Sequence, residues 1–529
     1  MKKRIISILS MLVLVCFLLV GAPTSMTAKA AADPAFTKQP VGGEVIYGEE
    51  LTVSWSLNFT PTEQRVSWKK QGEEMVHTLI TLDASATSAK LSGLSSGLQY
   101  VILAYYNEGG VEKKVASDLF QITNVAPYTA DSVFKVGGTM TVDTECIAAA
   151  NENWEEAYFD NEITYQWYRN GTAISGATMN KYEIQRDDVG CELYAKVIRS
   201  DASLKTSKVT ASCDIYVGGV GMCNGEYLAS NATAPTTTKP SGGYAYYKDG
   251  VLTLHNYTYS GSGYQVSSNT FAAVYAAENV TVKLEGENSI TKTSGGAKNE
   301  YAFYMKSNLA LQEGTSGSKL TVKSSGYGIL VQKNLTIESG TYNITAEKYD
   351  SIYVMDGNIS IKAGAFVLKA YRIGMLSNNG GMTIENGSFD VAATTDYGIY
   401  SDDDMTIKNG DFTIVSKKQG LLGDDNVTIE NGTFDITSYD SYDGYGIQAD
   451  GKFFIIKDGD FTINSKKTAI YSAYTTNYNG AVTIEGGSFN ITSQNGNGIL
   501  AEKNTTTIRG GEIVIDSAKS AVQSVLFGV

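Results

Sequence analysis

Two groups of side chains in the 529-residue sequence have the types and spacing to do chemistry. The first is acidic: Asp402, Asp403 and Asp404 form one cluster, Asp424 and Asp425 a second, and Asp356 and Asp450 hold similar places before other repeats. Carboxylates brought one above another repel, and a hard cation with oxygen ligands relieves that repulsion. These five clustered aspartates are therefore candidate calcium ligands, set against the plainer alternative of a solvated acidic turn. The second group is aromatic. Tyr439, Tyr442, Tyr445, Tyr471, Tyr474 and Tyr478 are interleaved with Asp440, Asp443, Asn477 and Asn479. Aromatic faces pack on the apolar faces of sugar rings while carboxylates and amides take the hydroxyls, so this set is a candidate carbohydrate-binding surface. The plainer alternative is that tyrosine simply suits β-rich extracellular surfaces.

Other chemistries lack their residues. His77 and His255 are the only histidines, which disfavours imidazole metal sites and histidine-dependent triads. Glycoside hydrolysis needs two carboxylates held in different environments; acid pairs exist here, but Arg372 and Arg509 stand alone and no nucleophile elbow occurs. A net charge of −14 leaves no cationic surplus to release counterions from phosphates, so nucleic acid is not an expected partner.

The first residues set the compartment. Lys2, Lys3 and Arg4 precede an apolar run from Ile5 to Val20, and Ala28-Lys29-Ala30 offers a small-residue cleavage site. That order is a secretory signal peptide over 1–30, so a secreted or surface-associated protein is expected, with no membrane insertion of the mature chain. Cys16 leaves with the signal, and Cys146, Cys191, Cys213 and Cys223 remain in an oxidising compartment, where three connectivities are open. A hairpin centred near Ala202 sets Cys191 opposite Cys213 and favours that pairing over Cys146–Cys191.

The elements that must position these groups are legible from a repeat. Eight copies of the type MTIENGSFDV or MTIKNGDFTI follow one another, with turn glycines at Gly340, Gly364, Gly387, Gly410, Gly432, Gly459, Gly487 and Gly511. Each copy holds three short β-like pieces, and a stack of such three-strand coils is a parallel β-helix. Three apolar rows run through the copies. One is Ile337, Ile361, Ile384, Ile407, Ile429, Ile456, Ile484 and Ile508; a second is aromatic from Tyr342 through Phe489, ending at Ile513; a third runs from Ile344 to Ile515. Period-two alternation turns these rows inward. The residue after the isoleucine alternates in sign: Glu338, Lys362, Glu385, Lys408, Glu430, Lys457, Glu485 and Arg509. Only stacking of equivalent positions gives this a physical reason, because a slip by one coil sets like charges together. The two longest copies carry the tyrosine-rich insertions, and insertions on one face of a solenoid often mark its binding face.

Upstream, residues 31–125 show alternating strands (Leu51, Val53 and Trp55; Val66 and Trp68) and the segment LSGLSSGLQY. Residues 126–217 contain QWYRNG around Trp167, then DDVG leading into Leu193, Ala195 and Val197. Such spacing indicates β-sandwiches. The first stretch resembles bacterial fibronectin-III or immunoglobulin-like modules and the second bacterial immunoglobulin-like repeats, with Trp167 as the core tryptophan.

Residues 218–529, with the TIxNGxFxI repeat and the KDGVLTLHNYTYSG opening, resemble secreted pectate-lyase-like β-helix modules, among them a polygalacturonate-binding carbohydrate module. The resemblance implies an all-β chain: immunoglobulin-like sandwiches followed by a right-handed parallel β-helix. Enzymes of that fold use histidine or arginine segments beside their acids, and no GHG, RIK or RxPxxR pattern stands here. The expectation is thus a non-enzymatic protein whose β-helix binds a polysaccharide or other glycan, an acidic one through bridging calcium, with the sandwiches as spacers. An adhesin for host protein and an unusual polysaccharide lyase or hydrolase are the alternatives.

Overall fold

The computed structural model describes residues 33–46, 50–94, 98–126, 128–130, 134–142, 163–198, 203–473, 480–502 and 504–525. The signal-peptide segment, Cys146, Tyr474, Asn477, Tyr478 and Asn479 lie outside the described residues. The described chain is strand, turn and one 3-10 turn at Arg186–Asp188. Among these residues no helix is long and apolar enough to cross a membrane.

In the N-terminal unit, the strands Glu63–Lys70, His77–Leu82, Leu98–Glu108, Val111–Ala116 and Phe120–Gln121 form one antiparallel sheet. Alternation along Leu51–Ser54 and Glu63–Lys70 buries Val53 and Val66, which meet Trp55, Tyr100, Ile102 and Phe120 in a single core. Burying the Trp55 indole requires a partner for its N–H, and Nε1 donates to Oε1 of the buried Gln64 at 2.7 Å.

The second sandwich is organised around Trp167, which is fully buried, donates from Nε1 to the Met179 carbonyl at 2.9 Å, and stacks on Tyr182. Met140, Val142, Leu193 and Ala195 are buried as well. Asp188, in the DDVG segment, is buried yet fully used: it accepts from Tyr182 Oη at 2.8 Å, the Gln185 N–H at 2.6 Å and Arg169 Nε at 2.6 Å. A buried carboxylate is tolerated only with such partners. Burial, reinforced by Asp188, pushes the Tyr182 hydroxyl up to about 12.

From Ile215 onward the chain coils into a solenoid with three long sheets. A hairpin of Tyr244–Lys248 and Val251–His255, turned at Asp249-Gly250 with both φ values positive, feeds one of these sheets; Val251–His255 then pairs in parallel with Val280–Glu285. Later coils add one strand to each sheet in unbroken register. Ile337 pairs with Ile361, Ile361 with Ile384, Ile384 with Ile407 and so on to Ile508. The isoleucines from Ile337 to Ile484 are fully buried, while Ile508, in the last coil, is 43 % exposed. Phe366, Phe389, Phe412, Phe434, Phe461 and Phe489 stack inside with centroids 4.6–4.8 Å apart and rings within 5° of parallel. That is the strand spacing itself, so each ring lies over its equivalent in the next coil.

The turn glycines are required by close approach. Gly410 has φ 141°, and a Cβ there would lie 2.9 Å from both the Gly387 carbonyl oxygen and the Phe412 ring. A second corner is fixed by side chains. The Oδ1 of Asn334 accepts the backbone N–H of Asn358, and the Oδ1 of Asn358 accepts that of Gly381. Asn308 treats Asn334 in the same way.

Candidate functional site

The candidate site is the outer face of the sheet whose strands close each coil. Its outward register reads Tyr216, Tyr275, Tyr304, Leu330, Tyr353, Leu376, Tyr400, Leu422, Gln448, Tyr471 and Leu500, each paired with the next. Residues on either side of each of these are buried, so pleating turns this row outward, although Leu330, Leu376, Leu422 and Gln448 are themselves covered. The rings are half-buried. Neighbouring tyrosines thicken the row: Tyr264 stacks on Tyr216 at 3.6 Å, Tyr301 on Tyr304 at 4.8 Å and on Tyr327 at 5.3 Å, and Tyr327 on Tyr349 at 4.4 Å. With Tyr275–Tyr304 at 5.8 Å and Tyr327–Tyr353 at 5.9 Å, one unbroken ribbon of tyrosines runs from Tyr216 to Tyr353. Tyr397–Tyr400 and Tyr445–Tyr471 continue the aromatic surface further along the same sheet. Partial burial raises the hydroxyl pKa of Tyr301, Tyr304, Tyr353 and Tyr445, so these groups stay protonated donors throughout the neutral range.

Only part of this surface was singled out from sequence. Tyr445 and Tyr471 belong to it, with centroids 4.7 Å apart. Tyr439 and Tyr442 sit in the insertion before Ile447–Ala449, 48 % and 80 % exposed, and Tyr439 Oη donates to the Thr394 carbonyl at 3.1 Å. Asp440 supports that insertion from below: its Oδ1 accepts the N–H of Tyr442 at 2.8 Å and of Asp443 at 3.0 Å, which holds its carboxyl below the usual range. Asp443 is exposed. The other insertion follows Ile470–Ser472 in the sequence and lies outside the described residues. The earlier tyrosines went unnoticed because they lie outside the repeated decapeptide. Their signal is the triplet Ile-Tyr-Val or Ile-Tyr-Ser at 215–217, 352–354, 399–401 and 470–472.

The acids border this face. Tyr400 Oη donates to Asp424 Oδ2 at 2.6 Å and Asp402 Oδ1 at 3.2 Å. Burial, with Asp450, Asp402 and Asp425 adding repulsion against the Tyr400 hydrogen bond, pushes the Asp424 carboxyl up to about 6. Burial also raises Asp425, with Asp404 and Asp403 adding to it. Asp404 takes over the corner role of the asparagines, its Oδ1 accepting the backbone N–H and Nδ2 of Asn426 at 3.1 and 2.9 Å. Asp403 is exposed. The five aspartates thus line one margin, but among the described residues no group of three or more His, Cys, Asp or Glu is arranged to hold a metal ion. The sequence expectation stacked them as equivalents, whereas two of them face Tyr400 and one braces a corner. Further acids and bases alternate on the opposite margin: Arg372 Nε lies 3.8 Å from both Asp350 and Asp396, and Lys418 Nζ lies 2.7 Å from Asp396.

The alternating charges form discrete pairs away from this face, each base reaching back to the acid of the preceding coil: Lys362–Glu338 at 2.7 Å, Lys408–Glu385 at 3.3 Å, Lys457–Glu430 at 2.9 Å and Arg509–Glu485 at 3.0 Å. The cysteines differ from expectation. Strand pairing places Glu192 opposite Thr210 and ends there, so Cys213 lies beyond the hairpin and approaches Cys223, with Sγ atoms 3.3 Å apart. Cys191 Sγ instead lies 3.7 Å from the Asp187 carbonyl. The Cys191–Cys213 pairing is therefore replaced by a Cys213–Cys223 contact.

No curated protein matches the sequence. Among solved structures, a marsupial T cell receptor is 12% identical over 33% of this chain and 95% of its own, with a TM-score of 0.16. A structure described as Rst D1-D2 is 8% identical over 34% of this chain and 98% of its own, with a TM-score of 0.16. Fibronectin(III)-like modules of Clostridium thermocellum CbhA are 12% identical over 34% of this chain and 91% of their own, with a TM-score of 0.15. At such scores these likenesses carry no argument. The sequence does match one family over residues 258–418, 382–472 and 417–525, more than half of its length. The chain belongs to the family described as carbohydrate-binding domain-containing protein.

Proposed function

We propose that the solenoid binds polysaccharide along its tyrosine face, and that the protein acts by binding rather than by cleaving. The observation that carries this is the unbroken ribbon from Tyr216 to Tyr353, half-exposed along successive strands of one sheet. An extended polymer fits such a surface better than a small molecule does, because successive rings stack on successive aromatic faces. Tyrosine hydroxyls, the exposed Asp403 and the half-exposed Arg372 at the margins supply hydrogen bonds for sugar hydroxyls. Membership of a carbohydrate-binding family supports the same reading. Against cleavage stands the state of the two carboxyls pushed up to about 6: Asp350 is sealed from solvent, and Asp424 is engaged by Tyr400.

The finer expectations join this proposal: a secreted protein, sandwich modules that act as spacers, and an acidic polymer bridged to the aspartate margin by calcium. Affinity electrophoresis of the full chain in gels cast with neutral and acidic polysaccharides, each with calcium or with a chelator, tests them together. Retardation in at least one gel is expected, and Tyr301→Ala/Tyr327→Ala should abolish it. Calcium-dependent retardation only in acidic gels identifies the bridged polymer, and uniform mobility in every gel rejects glycan binding.

A further inference from the structure

Cys213 and Cys223 occupy the point where the second sandwich passes into the solenoid. Cys213 lies just before the strand Ile215–Val217 and Cys223 just after its antiparallel partner Val220–Met222. Both are almost fully buried, at 3 % and 4 % exposure, and their Sγ atoms are 3.3 Å apart. The room for this contact is provided by Gly221, where a Cβ would lie 2.7 Å from Cys213 Sγ. Arg186, from the 3-10 turn of the sandwich, completes the cluster. Its Nη1 donates to Cys213 Sγ at 2.8 Å and Cys223 Sγ at 3.0 Å, and its Nη2 donates to the Gly221 carbonyl at 2.8 Å. Glu226 lies 3.4 Å from the same guanidinium.

We infer that Cys213 and Cys223 form a disulfide that staples the first hairpin of the solenoid to the segment arriving from the sandwich, with Arg186 promoting its formation. A permanent cation between two sulfurs disfavours a metal ion there and favours a thiolate. The hydrogen bond with Cys213, followed by that from Arg186, holds the Cys223 thiol below the ordinary thiol range despite its burial. Formation is a thiol–disulfide exchange with a low-molecular-weight disulfide while the strands are coming together. The Cys223 thiolate attacks one sulfur of that disulfide, breaking its S–S bond and releasing one small thiolate. The Cys213 thiol then loses its proton and attacks the Cys223 sulfur of the mixed disulfide, releasing the second. The protein loses two electrons and two protons, and the small disulfide becomes two thiols. Burial then shields the bond from reductants in the folded state.

The test is a peptide map of the full chain, refolded with oxidised and reduced glutathione, alkylated in denaturant without reductant and digested. Joined peptides carrying Cys213 and Cys223, separable by reductant, with Cys191 outside that linkage, are expected. Alkylation of both Cys213 and Cys223, or linkage of Cys213 to another cysteine, overturns the assignment. The Cys213→Ala/Cys223→Ala variant, which keeps the hairpin, separates the staple from any other reducible bond. Reductant should lower the melting temperature of the wild type by several degrees more than that of the variant. Equal drops overturn the stapling role. Arg186→Gln should slow crosslinking several-fold at neutral pH and regain the wild-type rate as pH rises through the thiol range; an unchanged rate overturns the role of the arginine.

Discussion

The solenoid carries two aromatic columns, one inside and one outside, and they obey different constraints. The phenylalanines from Phe366 to Phe489 are fixed by packing on every side, so their rings repeat at one spacing and one orientation. The tyrosines from Tyr216 to Tyr353 share the same strand rise but are held only from beneath, and their centroids range from 3.6 to 6.1 Å with rings tilted by up to 45°. The inner column is a device for stability. The outer one keeps its rings half-buried, with part of each open to solvent, which a core never leaves over.

The comparison breaks first at its strongest point. Phe412→Ala should cost about 3–5 kcal/mol, since a cavity opens between rings that cannot collapse without shifting two neighbouring coils, and urea denaturation measures it. A loss under 1 kcal/mol would mean that the column is not a close-packed core. By contrast, Tyr301→Ala/Tyr327→Ala should weaken polysaccharide binding tenfold or more, about 1.4 kcal/mol or greater, and leave the unfolding midpoint close to that of the wild type. Binding unchanged, with stability lost, would make the outer ribbon a second core rather than a platform.

Titration sharpens the same contrast at the margin. Asp350 is buried and its carboxyl is pushed up to about 6, with burial outweighing the opposing charge of Arg372. The folded state then binds more protons than the unfolded state between the ordinary carboxylate range and about 6, so this group's stability contribution is present below that window and is lost as pH rises through it. Asp350→Asn should therefore stabilise the protein by about 1–2 kcal/mol at pH 7, and the advantage should vanish near pH 4. A pH-independent difference would tie the effect to packing. The smallest expected effect belongs to the exposed ladder. Lys408→Glu sets a third acid between Glu385 and Glu430 and should cost less than about 1 kcal/mol, fading in high salt.

What sequence revealed and what it hid follow from which residues repeat. The isoleucine, phenylalanine and charge rows sit at fixed offsets from a turn glycine, so stacking could be argued position by position before any coordinates. The outer tyrosines belong to strands of three to seven residues reached through corners of variable length, and no fixed offset links Tyr304 to Tyr353 or Tyr400. The cysteines misled for a related reason. Opposition of Cys191 and Cys213 assumed that one hairpin ran through both, but the ladder stops at Thr210 and Cys213 already serves the next fold. Asp404 looked like a ligand because its asparagine counterparts, Asn308, Asn334 and Asn358, differ from it in type though not in task.

The glycine corner has one more implication. Because each turn glycine sits against the carbonyl of the one before it, a coil is interchangeable with its neighbours as a unit, whatever side chain it shows outward. Adding, deleting or transplanting a whole coil changes the length and pattern of the surface like tiles in a strip, with no new joint to design, whereas removing half a coil leaves nothing for the next to seat on.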